Sequence, residues 1–100
     1  MAFEFKGSDT SQPVQIQSNQ GALSILFPAA MSGTSVELQG SFDGTNFYPI
    51  YQDGAKVTIG FVASSIHCLR VGSIFGMQHF RLKSTASETT SIGFRCAVVV

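Results

Sequence analysis

Apolar and polar residues alternate with a period of two along most of this chain, and helical spacing is nearly absent. In "VQIQ", which Pro13 opens, Val14 and Ile16 share one face. In "ALSILF" the shared face holds Leu23, Ile25 and Phe27, and Pro28 ends the run. "SVELQGSF" sends Val36, Leu38 and Phe42 one way and Glu37, Gln39 and Ser41 the other, with Gly40 interrupting the apolar face. "KVTIGF" repeats the pattern through Val57, Ile59 and Phe61, while "SIHCLRV" is apolar on both faces. "HFRLKS" places Phe80 and Leu82 inside and His79, Arg81 and Lys83 outside; the closing run alternates Ile92, Phe94, Cys96, Val98 and Val100. Successive side chains of a strand point to opposite faces, so each run describes a strand with one face on a core.

Ser, Thr, Gly and Asp cluster between the runs as turn formers. The pattern predicts an all-β fold: an antiparallel β-sandwich or jelly roll of about seven or eight short strands. Residues 1–100 form a single β-sandwich domain in this reading, with no internal repeat or linker. The polar stretch Gly7 to Gln12 separates Phe3 and Phe5 from the first alternating strand. Residues 1–12 are therefore expected to be an N-terminal arm, with Phe3 and Phe5 anchoring it on a neighbouring subunit or on another protein partner rather than inside their own core. The chain closes on Ala97, Val98, Val99 and Val100, apolar on both faces. Such a strand either lies centrally between covered faces, or Val99 and its neighbours are covered by another subunit.

The segment "GSFDGTNFYPIYQDG", Gly40 to Gly54, concentrates two Asp-Gly pairs and four aromatics. A calcium loop needs several oxygen side chains at alternate positions and a bidentate acid; after Asp43 no second acid occurs until Asp53. Asp-Gly is instead a favoured pair for turns with positive φ. The segment reads as a meander: strand, turn at Asp43-Gly44, short strand, turn at Asp53-Gly54, strand. Phe42 and Phe47 are expected in the core. Tyr48 and Tyr51 have a polar handle and tolerate a half-exposed site, so they serve either cross-strand packing or a partner surface.

Composition narrows the function classes. Six basic residues balance six acidic ones, and charged residues make up 12% of the chain, about half the usual ~25%. That speaks against nucleic acid or anionic lipid as a partner, and weakly charged neutral surfaces tend to associate. No apolar run approaches the ~18 residues of a membrane span, and no signal peptide is expected from the opening residues. Cys68 and Cys96 make no secreted disulfide framework; each is a small buried residue, or the two form one bridge if their strands are neighbours. His67 and Cys68 are adjacent and so point to opposite faces, which leaves no dyad between them. No nucleophile elbow or zinc spacing occurs, so no catalytic, cofactor-binding or metal residue is assigned. Arg70, Arg81 and Arg95 stand in apolar strands, either laying their stems along the sheet or pairing with Glu37, Glu88 or Asp53 of another subunit.

Two stretches, "VELQGSFDGTNFYPIYQDGAKVTI" and "MQHFRLKSTASETTSIGFRCAVVV", together about half the chain, resemble small bacteriophage virion structural proteins. The matching residues are Ser41, Asp43, Gly44, Phe47, Asp53, Gly54, Arg81, Leu82 and Ser84; the interrupted "VGSIFGMQHF" departs from that pattern. The resemblance implies a jelly-roll subunit of a phage particle: a capsid decoration (cement) protein, a head-fibre base or a tail component. A decoration protein would act as a dimer or trimer that bridges major capsid protein subunits, with Phe3, Phe5, Tyr48, Tyr51 and Val99 as interface residues and no cofactor. It would be located in the virion after assembly in the reducing host cytoplasm. The same "DG-x-x-aromatic" hairpin also occurs in discoidin-like and other carbohydrate-binding jelly rolls, where Tyr48, Tyr51 and Asn46 would form a stacking and hydrogen-bonding edge.

Overall fold

The alternating runs close into two sheets because their apolar faces have nowhere else to go. In a computed structural model that describes residues 1–16, 20–70 and 79–98, Leu23, Ile25, Phe27, Val36, Leu38, Phe80, Leu82, Ile92 and Phe94 are all buried in one cluster. The strands are β1 (Ala2–Glu4), β2 (Ser8–Thr10), β3 (Val14–Gln15), β4 (Gln20–Phe27), β5 (Ser35–Ser41) and β6 (Tyr48–Pro49). They continue with β7 (Tyr51–Gln52), β8 (Ala55–Lys56), β9 (Thr58–Gly60), β10 (Ser65–Arg70), β11 (His79–Glu88) and β12 (Ser91–Val98).

One sheet has the order β1-β12-β4-β10 and the other β2-β11-β5-β6, with β3 also pairing β11 and β9 also pairing β5. Among the described residues, taking β2 with β3, and β6 with β9, as single interrupted strands leaves four strands per sheet, and most connections cross from one sheet to the other. This is the eight-stranded jelly roll. All pairings among the described residues are antiparallel. The closing strand β12 lies between β1 and β4, so it is central rather than an open edge. Val99 lies outside the described residues, as do residues 71–78.

Phe3 and Phe5 are not arm anchors. They are 0% and 3% exposed in the chain's own core. Ala2, Phe3 and Glu4 pair with Gly93, Ile92 and Ser91 of β12. The polar stretch after them is sewn down through its backbone: Phe5 N–H donates to the Thr90 carbonyl (3.0 Å), Gly7 N–H to Glu88 (2.8 Å), Ser11 N–H to Leu82 (2.9 Å) and Gln12 N–H to Glu4 (2.8 Å). The buried Ser11 hydroxyl also accepts from Leu82 N–H at 2.9 Å. Polar side chains did not make this segment loose, because main-chain groups do the pairing.

The expected meander is also corrected. β6 and β9 both pair with β5, through Gln39↔Pro49 and Gly40↔Tyr48 and then Ser35↔Gly60 to Glu37↔Thr58. Val57 N–H donates to the Ile50 carbonyl at 2.9 Å, and Leu38 bonds to both residues. The chain therefore leaves the sheet after Ile50, makes the β7-β8 hairpin and resumes the same line at Val57. Asp53 (φ 53°) and Gly54 (φ 79°) form the tip of that hairpin.

The arginine readings resolve in part. Arg81 lays its guanidinium over the Phe47 ring, 4.7 Å from the centroid. Glu37 pairs with Lys56 at 3.5 Å, and Glu88 is buried against backbone rather than offered to a partner. The cysteines lie on opposite faces of their sheet. Cys68 is paired in register with Ser24, and Cys96 with its neighbour Leu23, so the two point apart and are free thiols.

Candidate functional site

Ser41 and Asp43 build the site. The Ser41 hydroxyl accepts from Gly44 N–H (2.9 Å) and Asp43 N–H (3.2 Å) and donates to Asp43 Oδ1 (2.8 Å). Asp43 Oδ1 also accepts from Thr45 and Asn46 N–H, both at 2.9 Å, and Oδ2 accepts from Asn46 Nδ2 at 2.9 Å. Short polar side chains that bond the backbone a few residues on are the standard makers of such turns. The Asn46 and Thr45 backbone donors, with the Asn46 and Ser41 side chains, hold the Asp43 carboxyl well below the usual aspartate range. Gly44 supplies the left-handed residue, φ 78°. The carboxylate thus serves its own loop, as the turn reading of Asp43-Gly44 anticipated.

This turn explains where the aromatics go. Alternation would have put Phe42 inside with Val36 and Leu38, but β5 ends at Ser41. The strand's parity stops there, and Phe42 is exposed rather than in the core. Phe47 is half-buried under Arg81. That arginine is positioned in turn: its Nε donates to Gln39 Oε1 at 2.7 Å, and Gln39 Nε2 donates to Glu37 Oε2 at 2.8 Å. The far side of the loop rests on β11, where a side chain at Gly44 would meet the His79 ring at 3.2 Å. The two stretches that carry the virion resemblance are therefore neighbours in space, since β5 pairs with β11 from Ser41↔His79 to Val36↔Ser84.

Phe42, Tyr48, Pro49, Ile50 and Tyr51 line a groove of about 250 Å³ on this edge of the molecule, floored by Gly40 and Ser41. The structure brings Tyr48 and Tyr51 together, both exposed, and adds Phe42, which alternation had placed elsewhere. The signal for Phe42 was the Ser-x-Asp-Gly turn itself, which begins one residue earlier. Asn46 is turned back onto Asp43 and does not line the groove.

A second apolar area lies on the outer face of the first sheet. Register places Ala2, Gly93, Leu26 and Ile66 in one row across all four strands, and Leu26 and Ile66 are exposed. Among the described residues no three His, Cys, Asp or Glu side chains are grouped as metal ligands would be. His67 is used locally: its ring meets Phe27 edge-on at 5.3 Å, and its Nε2 lies within hydrogen-bonding distance of Val62 N–H and the Ser65 hydroxyl.

No family model, curated protein or solved structure matches this chain.

Proposed function

We propose that this protein is a bacteriophage virion structural protein, a capsid decoration (cement) protein that stabilises the head by bridging capsid subunits. The observation that carries the reading is the exposed aromatic groove of Phe42, Tyr48 and Tyr51 on a neutral jelly roll. The jelly roll is an architecture of viral capsid and lectin domains, which is an argument by analogy of fold. The resemblance of residues 36–59 and 77–100 to virion proteins supplies the rest. Its partners in this reading are the major capsid protein or other virion proteins and further copies of itself, as a dimer or trimer. Neither nucleic acid nor membrane is a partner, and no cofactor or catalytic step is involved. The action is mechanical: area buried across capsid joints resists internal pressure. Free Cys68 and Cys96 suit assembly in a reducing host cytoplasm before incorporation into the virion.

One observation favours a second reading. Tyr48 and Tyr51 are exposed beside a groove, as a carbohydrate-binding jelly roll would need. A tail or head-fibre component would combine both readings. The test is genetic. Deleting the coding sequence from the phage that carries it should give particles that lack the chain and release DNA at a lower temperature. Particles that never contained the chain, or that keep full heat resistance without it, would overturn the decoration reading.

A further inference from the structure

Phe42, Tyr48 and Tyr51 are 88%, 66% and 63% exposed. At roughly 150–250 Å² per aromatic side chain, that leaves on the order of 400 Å² of ring surface in water. This equals the largest patch an ordinary monomer carries, about 300–600 Å², which is often functional. It is also about half of the ~800 Å² that each partner contributes to a stable protein interface, before Pro49 and the groove rim are counted.

Three features of the groove say what covers it. None of its lining residues is charged, and the polar groups around the turn are already used: the Ser41 hydroxyl, both Asp43 oxygens and the Asn46 amide all bond within the loop. A sugar needs several convergent donors and acceptors as well as a stacking ring, and the lining offers mainly the two tyrosine hydroxyls, so the site suits a largely apolar protein surface better. Pro49 stands on β6, the outer member of its sheet, and has no N–H to offer, which disfavours extension of the sheet by a further strand. Contact must therefore be made through side chains. Finally, the formal net charge is zero, so copies of the chain do not repel one another.

We propose that the occupant is a second copy of this chain, with Phe42 of each copy seated against Tyr48 and Tyr51 of the other. A self-complementary patch of this kind is the usual basis of a closed two-fold pairing, and tyrosine-rich pockets are the usual centre of its energy. The inference rests on the non-catalytic assembly reading above but needs no capsid, so the two can fail separately.

The experiment is light scattering and sedimentation of the purified chain across micromolar to tens-of-micromolar concentrations. It compares wild type with Phe42→Ser, Tyr51→Ser and the double variant. The wild type is expected to be a dimer, and a closed trimer would overturn the two-fold pairing. Each single substitution should weaken association at least about tenfold, and the double variant should be a monomer. Thermal melting by circular dichroism reports folding, and extrapolation to low concentration should give the same Tm for all four proteins because these side chains are outside the core. A monomeric wild type overturns the proposal, as do folded variants that associate like wild type. So does binding of simple pyranosides to a monomeric wild type that the double variant loses, which would assign the groove to a sugar. Heat-resistant particles lacking the chain would sink the decoration reading while leaving this result standing.

Discussion

The Phe3 ring lies 4.5 Å from the Phe94 ring, tilted by 35°, and Phe94 N–H donates to the Met1 carbonyl at 3.0 Å. The first residues are thus part of the wall of the core. Phe3→Ala should cost about 3–5 kcal/mol, the usual range for a buried phenylalanine. Deleting Met1 to Gly7 removes both Phe3 and Phe5 along with β1 and should abolish cooperative unfolding in urea. A truncated chain that melts like the full one would contradict the placement of β1.

Glu88 is buried and joins two distant parts of the chain. Its carboxylate accepts from Ser32 N–H and Gly33 N–H, both at 2.8 Å, and from the Ser84 hydroxyl at 2.7 Å. Burial alone would raise its pKa, but Ser32, Ser84 and Gly33 together outweigh that and hold it below the ordinary 4.5. A depressed folded-state pKa contributes stability that is present above the unfolded value and lost as pH falls through the folded one. Stability should therefore decline below about pH 4.5, with amides of residues 28–34 losing hydrogen-exchange protection first. Glu88→Gln should cost about 1–3 kcal/mol and flatten that part of the pH profile. An unchanged profile in the variant would assign acid sensitivity elsewhere.

Gly33 faces the same carboxylate. A methyl group there would run into Ser84 Oγ and come within 2.7 Å of Thr85 Oγ1 and 3.1 Å of Glu88 Oε2. Gly33→Ala should destabilise by more than about 1 kcal/mol through this crowding, measured by denaturant midpoint at constant slope.

Gly44 and Gly54 share a left-handed backbone, φ 78° and 79°, but differ in surroundings. Beside Gly54 a methyl group meets nothing, whereas beside Gly44 it meets the His79 ring. Both alanine variants should lose about 1 kcal/mol from backbone strain, and Gly44→Ala more than Gly54→Ala. Because the Asp43 oxygens are occupied by the loop, calcium or EDTA should leave the Tm unchanged. A rise of several degrees with calcium would mean the carboxylate is released to a metal.

Cys68 is exposed, whereas Cys96 packs against the core and burial pushes its thiol pKa up. An aromatic disulfide reagent should modify Cys68 first and Cys96 only on unfolding. Mild oxidation should yield no intramolecular bridge, since the two side chains leave opposite faces of the sheet. A bridge detected by mass spectrometry in the folded monomer would require a different register of β4 against β10 and β12.

Local rules alone gave the strands around Leu23–Phe27, Val36–Leu38, Phe80–Leu82 and Ile92–Phe94, because alternation states which face each residue takes as long as a strand runs unbroken. They also gave the turns at Asp43-Gly44 and Asp53-Gly54, whose chemistry is complete within a few residues. Tertiary structure decided what those rules could not reach. Phe3 and Phe5 went inside because β12 offers a partner about ninety residues away. β6 and β9 became one line because β5 pairs with both, and nothing near Ile50 or Val57 announces that. Glu88 is an acid in a polar run, buried only because backbone donors from 55 and 56 residues upstream meet it. Phe42 fell between the two kinds of rule: its turn is local, but its exposure follows from where the sheet stops. Pairing across long separations carries no periodic mark in the sequence, since its energy comes from backbone groups that every residue has and from apolar surface whose partner is chosen only when the chain closes on itself.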